Sequence, residues 1–262
     1  MSKTIAICNQ KGGVAKTTST YNIATLSAMK GYKTLMIDLD SQASLTISTG
    51  AEPLDFEDNI ATLFDDMINK KSKSLDVNSA IYPVEGIENL YLIPSIIDLA
   101  SKETLLNTVT AKESTLKRIL EKAIDDFDYI FIDCSPSLGN LTINALSTSD
   151  YLVIPTEADY LSYRGLGDLL SVVEDIKELI NDKLKVMGIV VTKYESRVKD
   201  SNEVLEQLKK KYDILGIIKK SVTVKDGIYA GLPLVVNPKN DIAYEIKNEY
   251  EKIFNYIEKY ED

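Results

Sequence analysis

A loop rich in glycine and lysine follows the first apolar run of the chain and opens a helix-like stretch. Glycines let backbone N–H groups turn inward around phosphate oxygens, and a helix N-terminus adds the positive end of its dipole. Lys16 is placed to reach the β- and γ-phosphates of a nucleotide, and the Thr17 hydroxyl to ligate Mg²⁺. The sequence therefore predicts a binding site for ATP and Mg²⁺ formed by Lys11, Gly12, Gly13, Val14, Ala15, Lys16, Thr17 and Thr18.

The loop departs from the strict phosphate-loop pattern, because Gln10 and Ala15 hold its two glycine positions. It matches instead the variant K-G-G-x-x-K-[ST], which carries a second lysine, Lys11. A methyl group stands where glycine is usual, and a left-handed backbone is costly for a residue with a side chain. We therefore expect Ala15 to have a negative φ.

Acidic residues follow two later apolar runs. Asp38 and Asp40 come at the end of the second run, and alternation along an extended chain turns both toward the same side. That side faces the crevice at the carboxyl end of a parallel sheet, where one carboxylate can order Mg²⁺ and the other can position the attacking water. Capping of the next helix is the alternative for Asp40. Asp133 ends the apolar run 129–132, an arrangement typical of a Walker-B magnesium site.

Composition excludes several classes of function. The net charge of −10 argues against binding of nucleic acid over the whole surface, although a local basic face remains compatible with it. The absence of His and the presence of only two cysteines argue against a zinc site. Cys8 and Cys134 lie within or beside apolar runs, as small buried hydrophobic residues do in a reducing cytosol. No apolar run approaches the roughly 20 residues that span a bilayer, so we expect a cytoplasmic protein.

Short apolar runs alternate with amphipathic stretches, as in buried parallel strands joined by crossover helices. Strands are predicted at residues 5–8, 34–37, 90–94, 129–132, 151–154, 186–191 and 215–218. Helices are predicted at residues 17–30, 114–126, 139–148, 165–181, 201–212 and 242–260, with a short one near 60–69 in the polar segment 51–89. The expected fold is α/β, one domain over residues 1–262 with a doubly wound, mostly parallel sheet and helices on both faces, as in P-loop NTPases.

The loop and the acidic strand ends resemble those of the ParA/Soj/MinD family of deviant Walker-A ATPases, over essentially the whole chain. The resemblance implies a homodimer that forms face to face around two ATP molecules. It further implies that Lys11 reaches the partner's nucleotide, Asp40 positions water and Asp38 lies near the metal shell. The catalytic residues are then expected to be Lys11, Lys16 and Asp40, and residues 135–139 are expected to sense the γ-phosphate.

The C-terminal half most resembles the short ParA/Soj proteins that segregate DNA. The sequence 192–197 is similar to the family's T-x-Y-D-S-R stretch, which implies that Arg197 contacts DNA. Lys219, Lys220 and Lys225 fall where the family's second basic stretch runs, with Thr223 in place of a usual arginine. Ordinary solvated lysines are the alternative interpretation.

The same resemblance implies further partners and contacts. The dimer is expected to bind DNA without sequence preference, to lie on the nucleoid and to hydrolyse ATP slowly until a ParB-like centromere-binding protein stimulates it. Pro238 is expected near the adenine. Because the phosphate loop begins within the first dozen residues, no N-terminal helix-turn-helix domain is expected.

Two other functions fit the same fold. A MinD-like positioning ATPase would end in a basic amphipathic helix that lies on a membrane, whereas the last predicted helix here has a mixed polar face and an acidic end, so no membrane contact is expected. An ATP-dependent carboxylate ligase resembling dethiobiotin synthetase should carry a substrate motif beside Lys11, and the sequence shows none. Partition of DNA is therefore the favoured function.

Overall fold

The predicted strands form one sheet in the computed structural model, which describes residues 2–69, 76–121, 123–221 and 231–260. In chain order, strands β1 to β8 span Lys3–Ile7, Thr34–Leu39, Tyr82–Pro83, Leu90–Ile93, Tyr129–Cys134, Tyr151–Glu157, Lys185–Tyr194 and Ile214–Lys219. Among the described residues, helices α1 to α9 span Lys16–Met29, Ser44–Ser48, Ile60–Asn69, Leu99–Leu105, Thr115–Leu120, Asn140–Thr148, Tyr160–Leu179, Lys199–Lys209 and Asp241–Lys259.

The strand order across the sheet is β3-β4-β2-β5-β1-β6-β7-β8. Neighbouring strands are parallel except β3, which pairs antiparallel with β4 at one edge. Every residue of β2 and β5 is buried, as expected where helices cover both faces of a parallel sheet. One face packs against α3 and α5 to α8, and the other against α1 and α9. The predicted doubly wound fold is confirmed.

Sequence periodicity locates the elements better than it locates their ends. The structure confirms the helix at Ile60–Asn69, but the helix predicted from residue 165 begins at Tyr160, because Asp159 accepts the N–H groups of Leu161 and Ser162 and caps it there. The helix predicted over 114–126 is α5 followed by a 3₁₀ turn at Ile124–Asp126. The sequence does not predict strand β3 or helices α2 and α4, since each is too short to show a regular repeat of apolar residues.

Strands β6 and β7 extend further past their apolar runs, toward the carboxyl edge of the sheet, than the other strands do. Strand β6 continues for three residues past Ile154 to Glu157, and β7 for three past Val191 to Tyr194. Parallel pairing keeps the ends of these strands close to those of β1 and β5. The extensions therefore bring polar residues to the edge where the phosphate loop lies.

Candidate functional site

The loop between β1 and α1 is fastened to its neighbouring strands. The side-chain oxygen of Asn9 accepts a hydrogen bond from the backbone N–H of Lys11 (2.9 Å), and its amide donates to the carbonyl of Pro155 in β6 (2.7 Å). Thr192 in β7 donates its hydroxyl to the carbonyl of Val14 (3.1 Å). The loop is therefore held in shape by its own chain, which lowers the cost of ordering it around a ligand.

The prediction of a negative φ for Ala15 is wrong. Its φ is 65° and its ψ 35°, in the left-handed region. The chain must reverse sharply between β1 and α1, and in this conformation the carbonyl of Ala15 accepts the Ser19 N–H (2.9 Å) and begins the helix. A residue with a side chain in this region costs about 1–2 kcal/mol. Such strain persists where the surroundings over-determine it, as the anchoring of Val14 does here.

Lys16 and Thr17 open α1 at the centre of the predicted site. The Lys16 side chain lies folded over the loop, with Nζ donating to the carbonyl of Lys11 (3.3 Å), and the residue is 7% exposed. Gly12 and Gly13 are exposed on the outer side of the loop, and Thr18 is half-buried. A buried ammonium among backbone groups at a helix N-terminus is suited to bind phosphate.

Asp133 lies directly across from the start of α1. The Thr17 hydroxyl donates to its Oδ2 (2.6 Å) and the Thr20 hydroxyl to its Oδ1 (3.2 Å). Burial, and then the nearby carboxylate of Asp38, raise the pKa of Asp133 to about 8. A buried carboxylate beside a hydroxyl is a donor set that Mg²⁺ prefers, and a divalent cation would offset the charge that burial disfavours. The residues present therefore fit a magnesium ion.

Asp38 and Asp40 occupy different environments. Asp38 is fully buried next to Asp133 in the register of β2 and β5, and burial raises its pKa to about 6. Its carboxylate accepts hydrogen bonds from the Thr46 N–H and hydroxyl (both 2.8 Å) and from the Asp40 N–H (3.2 Å). Asp40 lies beyond the strand end, is partly exposed, and accepts the Gln42 N–H (3.0 Å). The Asp40 carboxylate is thus more exposed than that of Asp38 and accepts fewer hydrogen bonds.

Lys11 is bound within its own chain by three side chains, here termed the lysine clamp. Its ammonium donates to Glu157 (3.0 Å), Asp159 (2.9 Å) and Ser162 (2.8 Å). Burial alone would lower the pKa of Lys11, but the hydrogen bonds that it donates to Asp159 and Glu157 outweigh burial and raise the pKa. For Asp159, burial acts to raise the pKa, and the bonds from Ser162 and Lys11 prevail and lower it to about 2.

A third lysine, Lys193, meets the clamp from β7. Its ammonium lies 2.6 Å from Glu157 and close to Gly13, where an added Cβ would be 3.9 Å away. Lys193 has a left-handed φ of 51°. Sequence reasoning missed Lys193 and the clamp residues, although one signal could have found them. Glu157 and Asp159 come shortly after the apolar run 151–154, just as Asp133 comes after the apolar run 129–132.

The two cysteines are buried free thiols at the ends of β1 and β5. Hydrogen bonding between Cys134 and Cys8, together with burial, raises the pKa of Cys134 well above its ordinary value. The Cys134 thiol is therefore protonated, and both side chains are buried, as expected for small hydrophobic residues.

The predicted DNA-contacting residues lie near the ends of β7 and β8. Arg197 is exposed in the loop after β7, and the Lys220 N–H donates to the carbonyl of Tyr194 (3.1 Å), which joins the two strand ends. Lys219 and Lys220 are both exposed but paired, with acidic partners at 2.7 Å and 2.9 Å respectively; these partners are Glu245 and Glu195. Lys225 and Thr223 lie outside the described residues.

The segment that precedes α9 in the chain contacts α1. The N–H of Val235 donates to the Asn22 side chain (3.2 Å), and Pro238, the predicted adenine contact, is half-buried three residues later. Helix α9 buries its apolar side against the sheet. Within the parts of the chain that the structure describes, no helix has both the length and the apolar character needed to cross a membrane.

Comparison with known proteins agrees with this fold and identifies relatives over most of the chain. A family model described as an AAA domain matches residues 2–186. The chain is 36% identical over 239 residues to the sporulation initiation inhibitor protein Soj of Bacillus subtilis, which covers 90% of this chain and 91% of that protein. It is similar to the solved structure of a putative plasmid partition protein from Borrelia burgdorferi B31 bound to AMPPNP, with a TM-score of 0.80, 29% identity and 99% of each chain covered.

A second solved structure is that of cobyrinic acid a,c-diamide synthase from Mycobacterium smegmatis with bound ATP analog and magnesium. The TM-score is 0.76 and the identity 32%, over 88% of this chain and 91% of that one. The two structures, both solved with a nucleotide analogue, share the fold that positions the phosphate loop here.

Proposed function

Because the chain belongs to the ParA/Soj family of P-loop partition ATPases, we propose that it hydrolyses Mg·ATP and that ATP joins two copies into a dimer that binds DNA. The observation that carries this proposal is the convergence of Lys16, Thr17 and Asp133 around one pre-formed loop. Family membership supports the ATPase activity, and the geometry supports the residue roles proposed below.

Lys16 and the loop backbone would bind the β- and γ-phosphates. The ammonium now donates to the carbonyl of Lys11, a neutral acceptor, and phosphate oxygens are stronger acceptors for it. Thr17 and Asp133 would hold Mg²⁺, which supplies positive charge that neutralises the phosphates during transfer. Asp133 must be deprotonated to bind the ion, so binding would displace the proton that its raised pKa favours.

Asp40 would orient the attacking water. It follows β2 at the same edge of the sheet at which Asp133 lies in β5, and unlike Asp133 it is partly exposed. Phosphoryl transfer needs little covalent help from a protein and depends on the position of the nucleophile. Removal of this carboxylate should therefore affect turnover more than nucleotide binding.

Lys11 would leave the lysine clamp and reach the nucleotide of a second copy. In the single chain its side chain is about one-third exposed, and two carboxylates balance the charge of its ammonium. The negative charge of a partner's ATP offers a competing site for this cation, which couples dimerisation to the triphosphate. ADP, with one phosphate fewer, would compete less well with the clamp.

The dimer would bind DNA through Arg197, Lys219, Lys220 and Lys225. An acidic protein can bind DNA only where local cations contact phosphates, and two copies offer twice as many such cations as one. A ParB-like centromere-binding protein would stimulate hydrolysis and release the dimer, and bound dimers would be found on the nucleoid. The relatives named as Soj and as a plasmid partition protein support this function.

The alternative functions have less support. A MinD-like membrane role would need a basic face on the C-terminal helix, whereas α9 presents Glu245, Glu251 and Glu258 among its lysines. The similarity to the diamide synthase supports a ligase role. The substrate pocket of such a ligase is expected beside Lys11, however, and the Lys11 ammonium is already bound by the lysine clamp.

Co-sedimentation with DNA tests the proposal. The protein should pellet with DNA of any sequence in the presence of Mg·ATP, but not with ADP or without nucleotide, and raising the salt concentration should weaken binding steeply. Binding that ignores the nucleotide, or no binding at low salt, would contradict the DNA-partition function. Parallel sedimentation with anionic lipid vesicles tests the membrane alternative.

A further inference from the structure

The loop that carries Asp40 is closed by one buried carboxylate. Asp38, the last-but-one residue of β2, accepts the N–H of Asp40 at its Oδ1 (3.2 Å). Its Oδ2 accepts both the N–H and the hydroxyl of Thr46 (2.8 Å each). Asp40 begins the loop and Thr46 lies in the first turn of the helix that follows, so both ends of residues 40–46 are bound to the same side chain.

Helix α2 depends on this carboxylate because its own cap has no suitable side chain. The N-cap residue is Ala43, which has a left-handed φ of 52° and no oxygen that could accept an N–H. Helix N-termini leave several N–H groups without partners, and a side-chain acceptor at the cap usually satisfies one of them. Asp38 accepts the N–H of Thr46, the third residue of the helix, and takes the place of the missing cap.

The Thr46 hydroxyl is fixed from two sides. It donates to Asp38 and accepts the backbone N–H of Ser95, just past β4, at 3.0 Å. Thr46 is fully buried. A hydroxyl with a donor on one side and an acceptor on the other has one orientation, so Thr46 ties the loop to both β2 and β4.

We propose that Asp38 and Thr46 are positioning residues that hold Asp40 in place for hydrolysis. The inference rests on the proposed ATPase function and assigns Asp38 to the loop, since Oδ2 already accepts two hydrogen bonds and Oδ1 one. Neither side chain reaches solvent, so each acts through the backbone that carries Asp40. A displacement of about 1 Å in a group that orients a nucleophile can lower the rate by up to about 100-fold.

The test is Thr46→Val, which keeps the shape of the side chain and removes its hydroxyl. We expect kcat for ATP hydrolysis to fall by about 10-fold or more, with the KM for ATP within about twofold of wild type, because Lys16 and Asp133 are untouched. Thr46→Ser keeps the hydroxyl and should restore kcat.

Thr49→Val is the matched control, because Thr49 donates its hydroxyl to the Thr46 carbonyl (2.7 Å) at the end of the same helix without contacting Asp38. It should leave kcat and KM unchanged. If Thr46→Val fails to fold, Asp38→Asn replaces it and should show the same loss of kcat alone. A wild-type kcat in the folded variant, or a loss in kcat that Thr46→Ser does not reverse, overturns the inference while leaving the ATPase intact. An inactive wild-type protein would overturn both.

Discussion

The ammonium of Lys11 lies 2.9 Å from the carboxylate of Asp159 in the same chain. Asp159 also caps α7 through the N–H groups of Leu161 and Ser162. One carboxylate thus stabilises the start of a helix and holds the lysine that is expected to act in a second subunit. The two tasks can be separated, because asparagine caps helices as well as aspartate does.

Asp159→Asn should therefore favour the ATP dimer. The variant keeps the cap but removes one of two charges that hold Lys11, so the lysine leaves the clamp more readily. We expect the dissociation constant of the Mg·ATP dimer to fall by about two- to fivefold, the range for a partly exposed ion pair, as measured by sedimentation velocity. Asp175→Asn, at an exposed position further along the same helix, is the control. An unchanged or weaker dimer would show that the clamp does not oppose dimerisation.

The two loop lysines should differ in the step that they support. Lys16→Ala should abolish Mg·ATP binding, since the phosphates lose the buried ammonium at the start of α1. Lys11→Ala should leave binding to the monomer within about threefold of wild type, because Lys11 is held away in the clamp, yet it should prevent the dimer. Calorimetry measures the first effect and sedimentation the second. Loss of ATP binding in Lys11→Ala would place this lysine in the nucleotide site of its own chain.

Stability without nucleotide should fall as the pH rises, because the pKa of Asp133 is raised to about 8. Between about pH 4 and pH 8 the folded chain holds a proton on Asp133 that the unfolded chain has released, so each step up in pH favours unfolding. Asp133→Asn should flatten this slope and raise the Tm at pH 8 by about 3 °C or more. Melting curves of wild type and variant at pH 6 and pH 8 measure both the pH dependence and the shift in Tm. Asp125→Asn, at an exposed position, is the control. A slope unchanged in Asp133→Asn would contradict this assignment.

The DNA surface can be tested through its acidic partners as well as its cations. Arg197→Glu should weaken ATP-dependent DNA binding and lower the salt slope by about one unit. Glu195→Gln and Glu245→Gln release Lys220 and Lys219 from their ion pairs, and each should strengthen DNA binding. Fluorescence anisotropy with Mg·ATP at two salt concentrations measures both. If the glutamine variants bind DNA no better than wild type, these two lysines do not contact phosphates.

The fold and the centre of the site could be predicted from sequence because both depend on local patterns. Apolar runs predict every strand except the two-residue β3, and the spacing of Lys16 and Thr17 after β1 predicts the phosphate loop. The strand ends were placed short at β6 and β7, because polar residues there break the apolar pattern while continuing the backbone hydrogen bonds. Glu157 and Lys193 were missed for that reason.

The conformation of Ala15 and the contacts of Asp38 could not be predicted from local patterns. Ala15 adopts a left-handed backbone next to Val14, which Thr192 of the distant strand β7 anchors, whereas the residue type alone argues for a negative φ. Asp38 binds Thr46, eight residues later, and Thr46 binds Ser95 in turn. Such contacts follow from the order of strands in the sheet, which the sequence does not state.

The central claim is that ATP joins two copies of the chain and that Asp40 orients the attacking water. The variant Asp40→Ala tests it most directly. The measurement is the mass of this variant in solution, by sedimentation velocity with Mg·ATP, with ADP and without nucleotide. The variant lacks the group proposed to orient water but keeps Lys16, Thr17 and Asp133. We predict a long-lived species of twice the monomer mass with Mg·ATP alone, together with no measurable hydrolysis. A monomer under all three conditions, or turnover at the wild-type rate, would contradict the account.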